Sequence, residues 1–148
     1  YVNGKEVADT QKVDSSELGY DTWIVPFEAG KIEAVAENVH HVLETVNAPV
    51  QIQLEEAGCE DIVQIELTVL DDMGRRVISD QSEIHVAIEG DCEYLGMDNG
   101  DAADVTEYRS HYRHCLEGKM MIYLRKLSDE KVKVTASNPK LRKAQIEV

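Results

Sequence analysis

The stretch YLGMDNGDAADVTEY, residues 94–108, sets Asp98, Asp101, Asp104 and Glu107 around an Asn99-Gly100 pair. Carboxylate and carbonyl oxygens gathered this closely can coordinate a hard cation such as calcium. The EF-hand ligand pattern is absent, because Gly100 stands two residues after Asp98, where that pattern needs an oxygen donor. Asn-Gly with flanking Asp is also what a tight turn requires, for positive φ and for short side-chain bonds to its own backbone. The expectation is a loop, with Asp98, Asp101 and Asp104 as the weak metal candidates and no metal or cofactor assigned.

His111, His114 and Cys115 lie close enough in YRSHYRHC to suggest zinc. On a strand, residues three apart point to opposite faces, so His111 and His114 would share a metal only on a helix. His85 falls on the outward side of its own run and reads as solvated or paired, and His40-His41 as a loop pair. Cys59, Cys92 and Cys115 carry no Cys–His nucleophile signature, and buried structural cysteine is the better reading.

The segments that must position these residues alternate with period two. Val50, Ile52 and Leu54 oppose Gln51 and Gln53; Val63, Ile65, Leu67 and Val69 oppose Gln64, Glu66 and Thr68. Ile84, Val86 and Ile88 repeat the pattern, as do Val132, Val134 and Ala136, then Ala144, Ile146 and Val148. Strands with one buried and one wet face read this way. MMIYL, residues 120–124, is apolar throughout and reads as a central strand. Turn chemistry separates the runs at Asp71–Gly74, Glu117–Lys119, Ser128–Glu130 and Asn138-Pro139. Spacing of about ten residues predicts an antiparallel β-sandwich.

Before residue 50 the pattern is mixed. YVNGKEV signals a hairpin through Asn-Gly, and TWIVPF a strand ending at Pro26, with Trp23 in the core. Ile32, Val35, Ala36, Val39, Leu43 and Val46 fit helical spacing, so periodicity alone makes residues 32–46 a helix.

The chain has 148 residues with 15 Lys plus Arg against 29 Asp plus Glu, a net charge of −14. Such a surface repels nucleic-acid backbones and anionic lipid, and no apolar run is long enough to span a membrane. Three cysteines without framework spacing favour a reducing compartment, so a cytoplasmic rather than secreted location is expected. The chain opens on Tyr1 rather than Met, which suggests a fragment of a longer polypeptide.

Several pieces together resemble the C-terminal immunoglobulin-like β-sandwich region of glycoside hydrolase family 2 enzymes, the β-galactosidase-like group. DIVQIELTVLDDMGRRV, IHVAIEGDCEYLGMDNGD, YRHCLEGKMMIYLRK and VKVTASNPKLRKAQIEV are similar to its strands and turns across residues 61–148. YVNGKEV, WIVPFEAGKIEAVA and NAPVQIQLE resemble the smaller module that precedes it. The strands expected before YVNG are missing, and the hairpin between Ala36 and Pro49 is short, with His40-His41 where a Gly is expected. The resemblance implies an all-β fold of tandem immunoglobulin-like sandwiches, the first incomplete. Residues 1–57 would form one module and 58–148 the other, with the boundary near Glu55–Asp61. Against the helical period, it implies strands for residues 32–46.

It also implies that the catalytic glutamate pair lies on a barrel upstream of Tyr1, so no residue here inherits a catalytic role. Retaining glycosidases need two carboxyl groups about 5 Å apart. The partners implied are that barrel and a neighbouring subunit. The runner-up reading is a carbohydrate-binding module using surface aromatics beside the acidic loop, Tyr94, Tyr108 and Tyr112. A third is an immunoglobulin-like adhesion domain of a bacterial surface protein.

Overall fold

The computed structural model describes residues 1–8, 12–13, 19–58 and 62–148. Cys59 lies outside the described residues. No helix forms among those described, and the chain divides into two compact units, Tyr1–Thr45 and Val46–Val148.

In the first unit, strands β1 (Lys12–Val13) and β2 (Thr22–Trp23) pair antiparallel, as do β3 (Lys31–Ala36) and β4 (Val39–Glu44). The Asn-Gly cue holds: Val2 and Lys5 exchange both backbone hydrogen bonds around Asn3 and Gly4, which carry φ of 49° and 78°. Residues 32–46 are not a helix. Ile32 faces Leu43 and Val35 faces His40 across a turn at Glu37-Asn38. The same apolar residues fit an alternating hairpin, and backbone bonds from Asn3 to Lys31 and from Glu33 to Tyr1 extend the pairing. Tertiary pairing overrides the helical period here. His40 and His41 therefore sit in β4 and not in a loop, with His40 Nε2 3.3 Å from Glu33. Trp23 is also not core. It is 42% exposed beneath the Lys12 ammonium, and Phe27 is 84% exposed. Strand β2 stops at Trp23, and every buried apolar side chain among the described residues belongs to the second unit.

That second unit begins earlier than the expected boundary after residue 57. Strand β5 (Gln51–Glu56) pairs along its full length with β6 (Val63–Leu70), so it belongs to the second sandwich. The further strands are β7 (Glu83–Glu89), β8 (Cys92–Asp98), β9 (Tyr112–His114), β10 (Lys119–Lys126), β11 (Lys133–Asn138) and β12 (Leu141–Glu147). Their order is β8-β10-β6-β5 on one side and β12-β11-β7-β9 on the other, joined through a parallel β5–β12 contact at Gln51 and Arg142. All other pairings are antiparallel. This is the constant-type immunoglobulin order with a short strand added beside the third strand of the fold.

The alternation read from the sequence sets the core. Ile65, Leu67 and Val69 of β6, Ile122 and Leu124 of β10, Ile84 of β7, Val134 and Ala136 of β11 and Met97 of β8 are fully buried. Each large apolar side chain among them contributes about 2 kcal/mol on leaving water. MMIYL lies within β10, between β6 and β8, as its unbroken apolar run requires. The turn into β10 is an Asn-Gly-like one, with Glu117 at φ 51° and Gly118 at φ 69°.

The β8–β10 ladder is irregular at one point. Its register shifts between Tyr123 and Leu124, so that Tyr123 faces Gly96 while Leu124 faces Tyr94. Gly96 has φ of 141°, and a Cβ built there would stand 2.3 Å from Tyr108 Cδ1. Tyr108 thus occupies the space that a side chain at position 96 would fill. We predict that Gly96→Ala lowers unfolding free energy by about 2–3 kcal/mol through overpacking and backbone strain. Urea denaturation measures this, and a change below about 0.5 kcal/mol would contradict the packing described.

Candidate functional site

The acidic stretch splits into a strand and a loop. Residues 94–98 end β8, and residues 99–111 cross from that edge of one sheet to β9 at the edge of the other. The loop bonds to itself. Asp98 accepts from Gly100 N at 3.1 Å, Asn99 from Asp101 N at 2.9 Å, Asp101 from Ala103 N at 2.8 Å and Asp104 from Thr106 N at 2.8 Å. These are side-chain turns repeated along one segment, each carboxylate or amide oxygen serving a nearby N–H. Among the described residues no group of three His, Cys, Asp or Glu is placed to hold a metal ion.

The loop is anchored by Arg113, which no sequence motif singles out. Arg113 faces inward from β9 opposite Ile84 and is 4% exposed. Its Nη1 donates to Asp104 Oδ2 at 2.7 Å, and its Nη2 to the Thr106 and Glu107 carbonyls at 2.9 and 3.3 Å. Nε is buried and has no partner among the described residues. Asn99 adds a bond to the same Asp104 oxygen at 2.9 Å and another to the His114 carbonyl at 3.0 Å. Hydrogen bonds from the Thr106 hydroxyl and N–H, with the Arg113 guanidinium, outweigh burial and hold the Asp104 carboxyl down at about 2. The available signal for Arg113 was its parity: Tyr112 and His114 face outward, so the residue between them faces the core.

The three tyrosines do not form one patch. Tyr94 is half-buried: it packs against the core, its hydroxyl donates to the Ser110 carbonyl at 2.7 Å, and its ring stacks on His111 at 4.6 Å. Burial pushes its phenol up to about 12. Tyr112 is half exposed on β9, at the edge of the opposite sheet, 5.9 Å from the His85 ring. Tyr108 is half exposed over Gly96 and lies within 17° of parallel to Tyr123, centroids 6.4 Å apart. Tyr123 is the partner the sequence did not single out, although alternation along β10 places it outward with Lys119 and Met121.

Among the described residues, His85, His111 and His114 are engaged by carboxylate, ring and carbonyl partners. His111 stacks on Tyr94, while His114 Nδ1 donates to the Gln81 carbonyl at 2.8 Å. His85 is paired with Glu83 at 3.0 Å. Cys115 is buried, and burial first, then the Asp80 charge, push its thiol up to about 12; the Cys92 thiol is raised for the same first reason. Neither is an activated thiolate.

A depression of 210 Å³ opens beside the start of β10, lined by Glu66, Asp98, Asn99, Gly100, Lys119, Met120 and Met121. Glu66 is bridged to Lys119 at 2.7 Å, and that hydrogen bond holds its carboxyl below the usual range despite some burial.

Fold and site define an immunoglobulin-like sandwich whose acidic loop is a built part of its scaffold. The chain belongs to glycoside hydrolase family 2: residues 47–147 match the family's C-terminal domain 5. No curated protein sequence matches. Among solved structures, a family 2 member from Bacteroides cellulosilyticus superposes with a TM-score of 0.84 at 22% identity, covering 100% of this chain and 22% of that one. A β-glycosidase from Bacteroides vulgatus gives 0.73 at 24% identity, over 88% and 19% of the two chains. A family 2 β-glucuronidase gives 0.74 at 20% identity, over 87% and 15%. The chain therefore spans about a fifth of the length of the enzymes it matches.

The Asp104–Arg113 pair makes a directional prediction. A carboxyl at about 2 when folded and near 3.8 when unfolded stabilises fully above the unfolded value and loses that contribution as pH falls from about 4 to 2. Asp104→Ala leaves Arg113 buried without its counter-ion and costs about 3 kcal/mol at neutral pH. Urea unfolding at stepped pH is expected to show the difference from the parent chain shrinking below pH 4.

Proposed function

We propose that this chain forms non-catalytic accessory modules at the C-terminal end of a family 2 glycoside hydrolase of the β-galactosidase-like group. The parent would hydrolyse O-glycosidic bonds on a separate catalytic barrel, and these modules would pack against that barrel or a neighbouring subunit. The observation that carries the reading is the state of the carboxylates. A retaining site needs one carboxylic acid with a raised pKa facing an ionised partner about 5 Å away across the bond to be cleaved. In the depression that holds Glu66 and Asp98, Glu66 is ion-paired to Lys119 and shifted the opposite way, toward the ionised form. Asp98 serves the turn at Gly100.

The test has two arms. The purified 148-residue chain is expected to release no 4-nitrophenol from 4-nitrophenyl β-galactoside or β-glucuronide, and any turnover abolished by Glu66→Gln would refute the non-catalytic role. Translation of the source gene upstream of Tyr1 is expected to give a long strand–helix region with two Glu at strand ends. A start codon close to Tyr1 would remove the hydrolase parent.

A further inference from the structure

The outer face of the β8-β10-β6 sheet carries an aromatic pair that the core beneath it does not account for. Side chains at Lys119, Met121 and Tyr123 alternate outward along β10. Tyr123 faces Gly96, and because position 96 has no side chain, Tyr108 lies across it and stacks beside Tyr123. The two rings make a stepped aromatic shelf with Tyr108 half exposed. One step along β10, Met121 faces Asp98 on one side and Glu66 on the other, and forms part of the lining of the 210 Å³ depression rimmed by Glu66, Asp98, Asn99 and Lys119. Beyond the shelf, Arg125 is paired with Glu93 at 2.6 Å, and Arg109 lies 3.6 Å from the same carboxylate. An aromatic shelf thus adjoins an apolar floor with carboxylate, amide and ammonium groups at its edge.

We propose that this face is a binding site for a neutral, β-linked oligosaccharide. The electron-rich faces of Tyr108 and Tyr123 suit the axial C–H groups of equatorially linked pyranose rings. The side chains of Glu66, Asp98 and Lys119 supply the acceptors and donors that sugar hydroxyls require. With opposite charges already matched across the face, and −14 on the chain as a whole, the site selects against uronic-acid or sulfated chains. Tyr94 takes no part, being half-buried with its hydroxyl bonded to Ser110, nor does Tyr112, on the opposite sheet. The proposal concerns this chain's own surface and stands whether or not the parent's catalytic barrel is found.

Isothermal titration of the 148-residue chain with cellohexaose, xylohexaose and β-1,4-galactohexaose tests it. Saturable binding to at least one is expected, weakened about tenfold by Tyr108→Ala or Tyr123→Ala, the loss of one ring's stacking energy. Tyr108→Phe and Tyr112→Ala are expected to bind as the parent does, and the urea midpoint of each variant separates lost binding from lost fold. Absence of binding to all three glycans by the folded chain overturns the proposal. So does binding that survives both alanine substitutions in folded protein. If no glycan binds and Tyr108→Glu lowers the Tm of the full-length enzyme but not of this chain, the face is a protein–protein contact, and the glycan site is equally overturned.

Discussion

The buried guanidinium of Arg113 is the constraint on which the arrangement of the second unit's loop face rests. A charge taken out of water must be paired and hydrogen-bonded, and here Asp104, Thr106 and Glu107 of a single loop accept from both terminal nitrogens of Arg113, while Nε has no partner among the described residues. Satisfying Arg113 therefore fixes the course of residues 99–111. That course brings Ser110 to the Tyr94 hydroxyl and delivers Tyr108 onto Gly96, where its carbonyl also accepts from Met97 N at 2.9 Å. The acidic character of the loop stems from the same requirement. Asp104 balances the cation, while Asp98 and Asp101 hold the turns that let the segment cross between sheets.

A second buried charge works in the same manner just after β6. Asp71 is fully buried; burial alone would raise its pKa, but N–H groups of Asn47, Arg75 and Met73 and the Arg75 side chain converge on it and hold it at about 2. These bonds close the Asp71–Arg75 turn and fasten the entry of the unit at Asn47 to it. The apolar core supplies most of the stability, but the two aspartates decide where the connections run.

Much of this was legible in the sequence because a sandwich strand writes its burial into alternate residues. Ile65, Leu67 and Val69, or Val132, Val134 and Ala136, could be assigned to the core without a structure, and Asn3-Gly4 and Glu117-Gly118 to their turns. The second-unit boundary was harder to place, since β5 alternates in the same way whichever sheet it joins. Residues 32–46 misled through period alone, as Ile32, Ala36, Val39 and Leu43 satisfy both a helix face and a hairpin face; the pairing of β3 with β4 and with Tyr1–Asn3 decides between them. At the site, the loop character of Asp98–Asp104 was readable from turn chemistry. Parity could have turned Arg113 inward and Tyr123 outward, but the loop that satisfies Arg113, the stacking of Tyr108 beside Tyr123 and the inward turn of Tyr94 were not readable, because they depend on the folded course of residues 99–111 and on a one-residue register shift.

The relation between Gly96 and Tyr108 has a consequence for how such a domain diversifies. A residue on a strand is bound to its neighbours by the core beneath it, whereas Tyr108 stands in for a strand side chain while belonging to a loop. The character of that patch of sheet can thus be rewritten by exchanging the one loop side chain at position 108, leaving every core position and the bonds of Arg113 as they were. The glycine is an opening on the strand that the loop is free to fill differently in each descendant.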